Sequence, residues 1–68
     1  SNVEDGLLDI NRASVADFMT LPGIGASKAE DIIQYRKENG SFQKIEDIKK
    51  ISGIKDAAFN KIKELICV

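Results

Sequence analysis

Two glycines around one apolar residue, set directly before a helix, make a backbone device for holding a phosphate. Leu21-Pro22-Gly23-Ile24-Gly25, followed at once by Ala26-Ser27-Lys28-Ala29, is written in that way. Neither glycine covers its peptide N–H with a side chain, and the helix start just beyond is already electropositive. Pro22 fixes the angle of approach and withdraws one donor that would go unused. Ile24 turns inward and anchors the turn between two helices. The ligand favoured by such a site is a nucleic-acid backbone. Pro-Gly and Gly-x-Gly also make ordinary tight turns between helices, and these five residues by themselves serve either purpose.

A second copy tips the balance toward the phosphate. Displaced by 30 residues, Leu21-Pro22-Gly23-Ile24-Gly25 falls on Ile51-Ser52-Gly53-Ile54-Lys55. The flanks agree, with Asp17 on Asp47, Phe18 on Ile48, Ala29 on Phe59 and Ile32 on Ile62. A helix, a glycine-bearing turn and a helix are thus written twice, the mark of an internal duplication.

The turns need helices on both sides. Ser14-Val15-Ala16-Asp17 has the outline of a capping box and opens a short first helix with Val15, Phe18 and Met19 inward. The second helix runs from about Ala26 to Asn39, with Ala29, Ile32, Ile33 and Tyr35 or Arg36 marking its inner and flanking positions, Tyr35 at the core or rim, and Asn39-Gly40 as its stop. Phe42 in the following connector belongs to the core. A third helix, Ile45 to Lys50, repeats the first, with Lys44 where Ser14 caps its counterpart. The fourth extends from about Asp56 to Ile66, offering Phe59, Ile62, Leu65 and Ile66 at helical spacing, while Asp56 complements the helix dipole. Leu8 and Ile10 alternate with polar neighbours in a strand-like approach to the core; no other strand signal is present. Residues 1–7 read as a mobile leader or the remnant of an excision, since Ser1-Asn2 begins without Met, and 8–68 as the domain. Its first unit covers about 14–39 and its second about 45–68.

Composition limits the chemistry. At 68 residues the chain makes one small domain, which buries only about 60% of its unfolded surface. An apolar fraction of 43%, mostly Ile, Leu, Val and Phe, suffices for one helical core. Charged residues make up 31% but nearly cancel to a formal net charge of −1, so no global field draws the protein onto a polyanion and any such contact is local. Histidine is absent and Cys67 is the only cysteine, which removes the commonest general base, any internal disulfide and any cysteine-based zinc site. Asp31, Glu30 and Glu38 serve solubility, and no catalytic constellation, cofactor site or small-molecule substrate is indicated. Lys49, Lys50, Lys61 and Lys63 either broaden a basic surface or, as is usual, are charge on solvated helix faces, and Arg36 and Lys37 read as surface cations near a helix C-terminus. No stretch reaches transmembrane length and no signal peptide is visible.

The chain resembles the tandem helix-hairpin-helix domain, most closely the C-terminal DNA-binding domain of the ComEA-type competence proteins. The resemblance rests on Ile10-Asn11-Arg12-Ala13-Ser14, the Leu21–Gly25 hairpin, Lys28-Ala29, the passage from Tyr35-Arg36 to Gly40-Ser41-Phe42, Ile45-Glu46-Asp47-Ile48, and the Ile51-Ser52-Gly53-Ile54 hairpin. It implies an all-α, SAM-like fold of four to five short helices, whose hairpins are related by a pseudo-twofold axis and meet phosphates of duplex DNA across the minor groove. It also implies a non-enzymatic, non-sequence-specific binder of double-stranded DNA, because backbone amides read phosphates and carry no base information. Carried over by position, the contacts are Gly23, Ile24, Gly25, Ser27 and Lys28 in the first copy, and Gly53, Ile54, Lys55, Ala57 and Ala58 in the second. Turns of this family sometimes hold a monovalent cation through backbone carbonyls, here those of Met19, Leu21 and Ile24.

The second copy departs from the pattern. Ser52 replaces the proline, Lys55 the second glycine and Ala58 the lysine, so the first hairpin is expected to matter more. DNA uptake for competence is the process the resemblance implies, with other uptake proteins as partners. The site it implies is the extracytoplasmic face of a bacterial membrane, with the anchor outside this sequence. Two alternatives stand beside it. One is a protein-interaction module, suggested by the pI of about 5.3; the other is the DNA grip of a larger DNA-processing protein.

Overall fold

Ser14 opens the helical part of the chain. In the computed structural model, which describes residues 3, 4 and 6–68 with side-chain detail from residue 6 onward, its Oγ accepts the Asp17 N–H at 3.2 Å. Asp17 Oδ2 accepts the Ser14 N–H at 3.1 Å in return, closing the capping box of α1 (Val15–Phe18). The long helix α2 (Ala26–Asn39) has the expected bounds, and its stop, Gly40, takes a φ of 83° that only glycine adopts without strain. A 3₁₀ helix (Ile45–Lys50) stands where α1 is repeated, and α3 (Asp56–Ile62) follows the second turn. Among the described residues the fold is mostly helical, as the duplication implies.

One core joins the two units. Ile10, Phe18, Ile32, Ile48, Ile54 and Ile62 are fully buried within it, each worth about 1.5–3 kcal/mol of transfer from water. Residues 21–32 and 51–62 pass through buried and exposed positions in the same order, so the 30-residue offset holds in packing as well as in sequence. Polar clamps tie the segment before α1 to the second half of α2 and its connector. Asn11 Oδ1 accepts the Phe42 N–H at 2.7 Å while Asn11 Nδ2 donates to the Phe42 carbonyl at 3.0 Å. Tyr35 stacks on the Phe42 ring, with centroids 5.5 Å apart.

Arg36 departs from the sequence expectation of a solvated cation. Its Nη1 donates to the carbonyls of Ile10 at 2.9 Å and Ala13 at 2.8 Å, and the guanidinium lies 6.0 Å from the centre of the Phe18 ring. These carbonyls lie in a turn segment, and the guanidinium supplies donors that reach them from the neighbouring helix. A helical surface pattern carries no sign of such a long-range partner.

Short strands are the second departure. β1 (Val3–Glu4) pairs antiparallel with β2 (Leu7–Asp9), and β2 pairs parallel with β3 (Ile66–Cys67), in the register Leu8 to Ile66 and Asp9 to Cys67. The Leu8 N–H donates to the Leu65 carbonyl at 2.8 Å and the Ile10 N–H to the Cys67 carbonyl at 2.9 Å. This pairing ends the last helix at Ile62 instead of Ile66, because residues 66–67 must extend to reach β2. Leu65 is accordingly 42% exposed, and Met19, expected inward, is 48% exposed beyond the end of α1. Of the segment read as a leader, Ser1, Asn2 and Asp5 lie outside the described residues.

Asp47 repeats the role of Asp17. Its Oδ2 accepts the N–H groups of Gln43 at 3.0 Å and Lys44 at 3.4 Å, and its Oδ1 lies 3.7 Å from Lys50 Nζ. The Gln43 hydrogen bond, helped by the Lys50 charge, holds this carboxyl below its ordinary value of 3.8 although partial burial pushes the other way. A carboxyl with a depressed folded-state pKa stabilises fully above its unfolded value and loses that contribution as pH falls through the folded one. Thermal unfolding of wild type and Asp47→Asn from neutral pH to about pH 2 checks this. The variant is expected to be less stable at neutral pH, with the difference shrinking below the ordinary carboxyl value.

Candidate nucleic-acid interface

Each hairpin is a four-residue turn closed by its own backbone. The Ile24 N–H donates to the Leu21 carbonyl at 3.2 Å with Gly23 at φ 80°, and the Ile54 N–H donates to the Ile51 carbonyl at 3.0 Å with Gly53 at φ 92°. A positive φ at the third position is the type II pattern, which calls for glycine there. The next residue is different. Gly25 (φ −95°, ψ −173°) and Lys55 (φ −109°, ψ −163°) share an extended conformation open to any residue. Lys55 in place of Gly25, and Ser52 in place of Pro22, therefore leave the same backbone path.

The two helices that follow begin without a side-chain cap. The first bonds of α2 and α3, from the Ala29 N–H to the Gly25 carbonyl at 3.0 Å and from the Phe59 N–H to the Lys55 carbonyl at 2.8 Å, come one full turn in. The amides of Gly23, Gly25, Ala26, Ser27 and Lys28 find no acceptor among the described residues, and neither do those of Gly53, Lys55, Asp56, Ala57 and Ala58. A Cβ built on Gly25 meets no atom within 4 Å, so the space over the first helix start is open. Ile24 and Ile54 are buried and their amides are used inside the turns, so they hold the site in place from beneath. Ser27 and Ala57 are exposed, and Ala58 is half-buried. Of the three carbonyls considered for a cation, that of Leu21 accepts the Ile24 N–H.

The hairpins are neighbours. Lys28, on α2, donates from Nζ to the Gly23 carbonyl at 3.4 Å, and its Cε lies 3.6 Å from where a Cβ on Gly53 would stand. It therefore sits on the seam between the two turns. Lys61, on α3, reaches the other way, with its Cδ 3.9 Å from a Cβ position on Gly23. Lys55 turns aside, donating from Nζ to the Lys49 carbonyl at 3.0 Å. Lys49 in turn pairs with Asp56 at 3.4 Å and lies 5.1 Å over the Phe59 ring.

Charge separates the two copies. Ala26 opens α2, whereas Asp56 opens α3 and holds a carboxylate, 88% exposed, at that helix start. Asp31 lines an open groove of about 270 Å³ with Gln34, Tyr35, Glu38, Lys50, Ile51 and Ser52 beside the second hairpin. Acids thus temper the lysines around the second hairpin, whereas the start of α2 carries none. Asp56 and Lys61 both escape a sequence comparison of the repeats. Asp56 reads as an ordinary dipole partner, and Lys61 aligns with Asp31, so the duplication gives no hint of its place.

A family profile described as the helix-hairpin-helix motif matches residues 3–67. ComE operon protein 1 of Bacillus subtilis is 53% identical over 62 residues, which make up 91% of this chain and 30% of that protein. Endonuclease/exonuclease/phosphatase family domain-containing protein 1 of Xenopus laevis is 41% identical over 61 residues, covering 90% of this chain and 11% of its own length. A protein of Haemophilus influenzae is 40% identical over 60 residues, 87% of this chain and 54% of that one. The chain thus spans less than a third of the Bacillus and Xenopus proteins.

The two glycines of the first hairpin are expected to behave differently. Gly23→Ala forces a left-handed alanine and costs about 1–2 kcal/mol, as does Gly53→Ala. Gly25→Ser fits the existing backbone, adds a side-chain cap and leaves stability unchanged or higher by about 0.3 kcal/mol. Urea unfolding of the three variants measures the contrast, and an equal loss in Gly25→Ser would contradict the assigned geometry.

Proposed function

The chain belongs to the helix-hairpin-helix family, and on that premise we propose that it binds double-stranded DNA through backbone phosphates, without reading base sequence, as a non-catalytic module. The observation that carries this reading is the adjacency of two uncapped helix starts with Lys28 on the seam between them. Each start presents several N–H donors and a positive dipole end to one phosphate. Two such points at fixed separation engage two backbone strands at once, and one rigid grip lowers the entropy cost of the other. A net charge of −1 leaves little long-range attraction, so affinity comes from these local contacts. No base-reading side chain is part of the site. DNA uptake is the biological setting, supported by the family resemblance and by the likeness to the Bacillus protein, with other uptake proteins as further partners. Among the described residues no helix is long and apolar enough to cross a membrane, and a place at the outer membrane face requires an anchor beyond this segment.

Binding to random duplex DNA is expected to fall steeply with salt, log K against log salt sloping at roughly −3 to −4 for three or four neutralised phosphates. Base sequence is expected to leave that slope unchanged, and a flat salt dependence would overturn the reading. Gly25→Asp supplies a carboxylate that takes the open amides for itself. It is expected to weaken every duplex alike by at least about tenfold while preserving thermal stability. Asp56→Asn removes the charge from the second helix start and is expected to strengthen binding about two- to fivefold.

A further inference from the structure

We propose that Lys61 is a phosphate contact of the first hairpin, a cation lent to that turn by α3 of the second unit, while Lys28 of α2 stands between the two turns. The inference rests on the phosphate reading above and assigns a contact that the repeat pattern does not contain. Its basis is the reciprocal placement of two lysine stems against two glycines. Lys28 Cε stands 3.6 Å from the missing Cβ of Gly53, and Lys61 Cδ stands 3.9 Å from the missing Cβ of Gly23. Lys28 Nζ donates back to the Gly23 carbonyl at 3.4 Å, whereas a lysine stem laid on a glycine surface, as that of Lys61 is, lets its ammonium extend past the turn toward solvent. Lys61 forms no ion pair among the described residues. The lysines nearest the second turn are committed elsewhere, Lys49 to Asp56, Lys50 to Asp47 and Lys55 to the Lys49 carbonyl.

This placement brings the first hairpin a lysine from each unit, Lys28 and Lys61, whereas Ala58 stands at the position of Lys28 in the second. It also makes the grip unequal. The position matching Lys61 in the first unit is Asp31, so the first hairpin gains a lysine where the second meets an acid. Lys63, two residues further on the same chain segment, is exposed and lies on the opposite side of the helix, which makes it the matched control.

The test is a salt titration of random duplex DNA binding with wild type, Lys61→Gln, Lys61→Arg and Lys63→Gln. Lys61→Gln is expected to reduce the magnitude of the log–log slope by about 0.9 and to weaken binding about eightfold at about 0.1 M salt. Lys61→Arg is expected to restore the wild-type slope, and Lys63→Gln to leave it unchanged. If Lys61→Gln binds like Lys63→Gln, the Lys61 contact is overturned while the phosphate reading stands. If wild type itself shows no salt-sensitive binding to duplex DNA, the functional reading fails and the Lys61 contact fails with it.

Discussion

The proposed interface depends on peptide groups that find no acceptor among the described residues. A helix start leaves its first N–H groups unpaired, and a capping side chain usually satisfies one or two of them at a gain of about 1 kcal/mol. This chain caps in that way where the helix is purely structural, as Ser14 and Asp17 show. At Gly25 and Lys55 it does not, and the donors stay exposed to solvent. Under the proposed function phosphate oxygens satisfy them, since the dipole of a helix start favours negative charge. The turns before these starts are held by buried Ile24 and Ile54, so the donors keep their direction when the ligand arrives.

The rest of the fold sets the spacing between the two starts. The Asn11–Phe42 pair and the Arg36 fork bind the segment before α1 to α2 and its connector, and the pairing of β2 with β3 closes the chain's two ends against each other. Within this frame the stems of Lys28 and Lys61 each lie on the opposite unit's glycine. Stability and recognition are therefore separable. The clamps and the core act from beneath, while the amides and the lysine ammonium groups lie outside and take little part in folding.

Much of this was legible in the residues, for physical reasons. The long helix shows because fourteen residues give several turns of periodic burial and end in a glycine that stops them. The duplication shows because both copies need glycine at the left-handed turn position and an aliphatic plug after it. Of the sheet only the alternation at Leu8 and Ile10 shows, because β1 and β3 have two residues each and the partner of β2 in the parallel pair lies at the other end of the chain. Arg36 occupies a helix position where solvated charge is usual, and only the packing of the segment before α1 on α2 gives it a carbonyl pair to meet. Lys55 shows the opposite limit: its type and position fit a phosphate contact, yet its ammonium caps the 3₁₀ helix.

The central claim is that the two uncapped helix starts act together on one phosphodiester ligand. An amide-resolved NMR titration with a short random duplex tests it most directly. Resonances of Gly23 and Gly25 to Lys28, and of Gly53 and Lys55 to Ala58, are expected to move together along one binding curve and to return on addition of salt, those of the first hairpin by more. Shifts confined to the Asp31–Glu38 groove, or the absence of any response at both turns, would contradict the account.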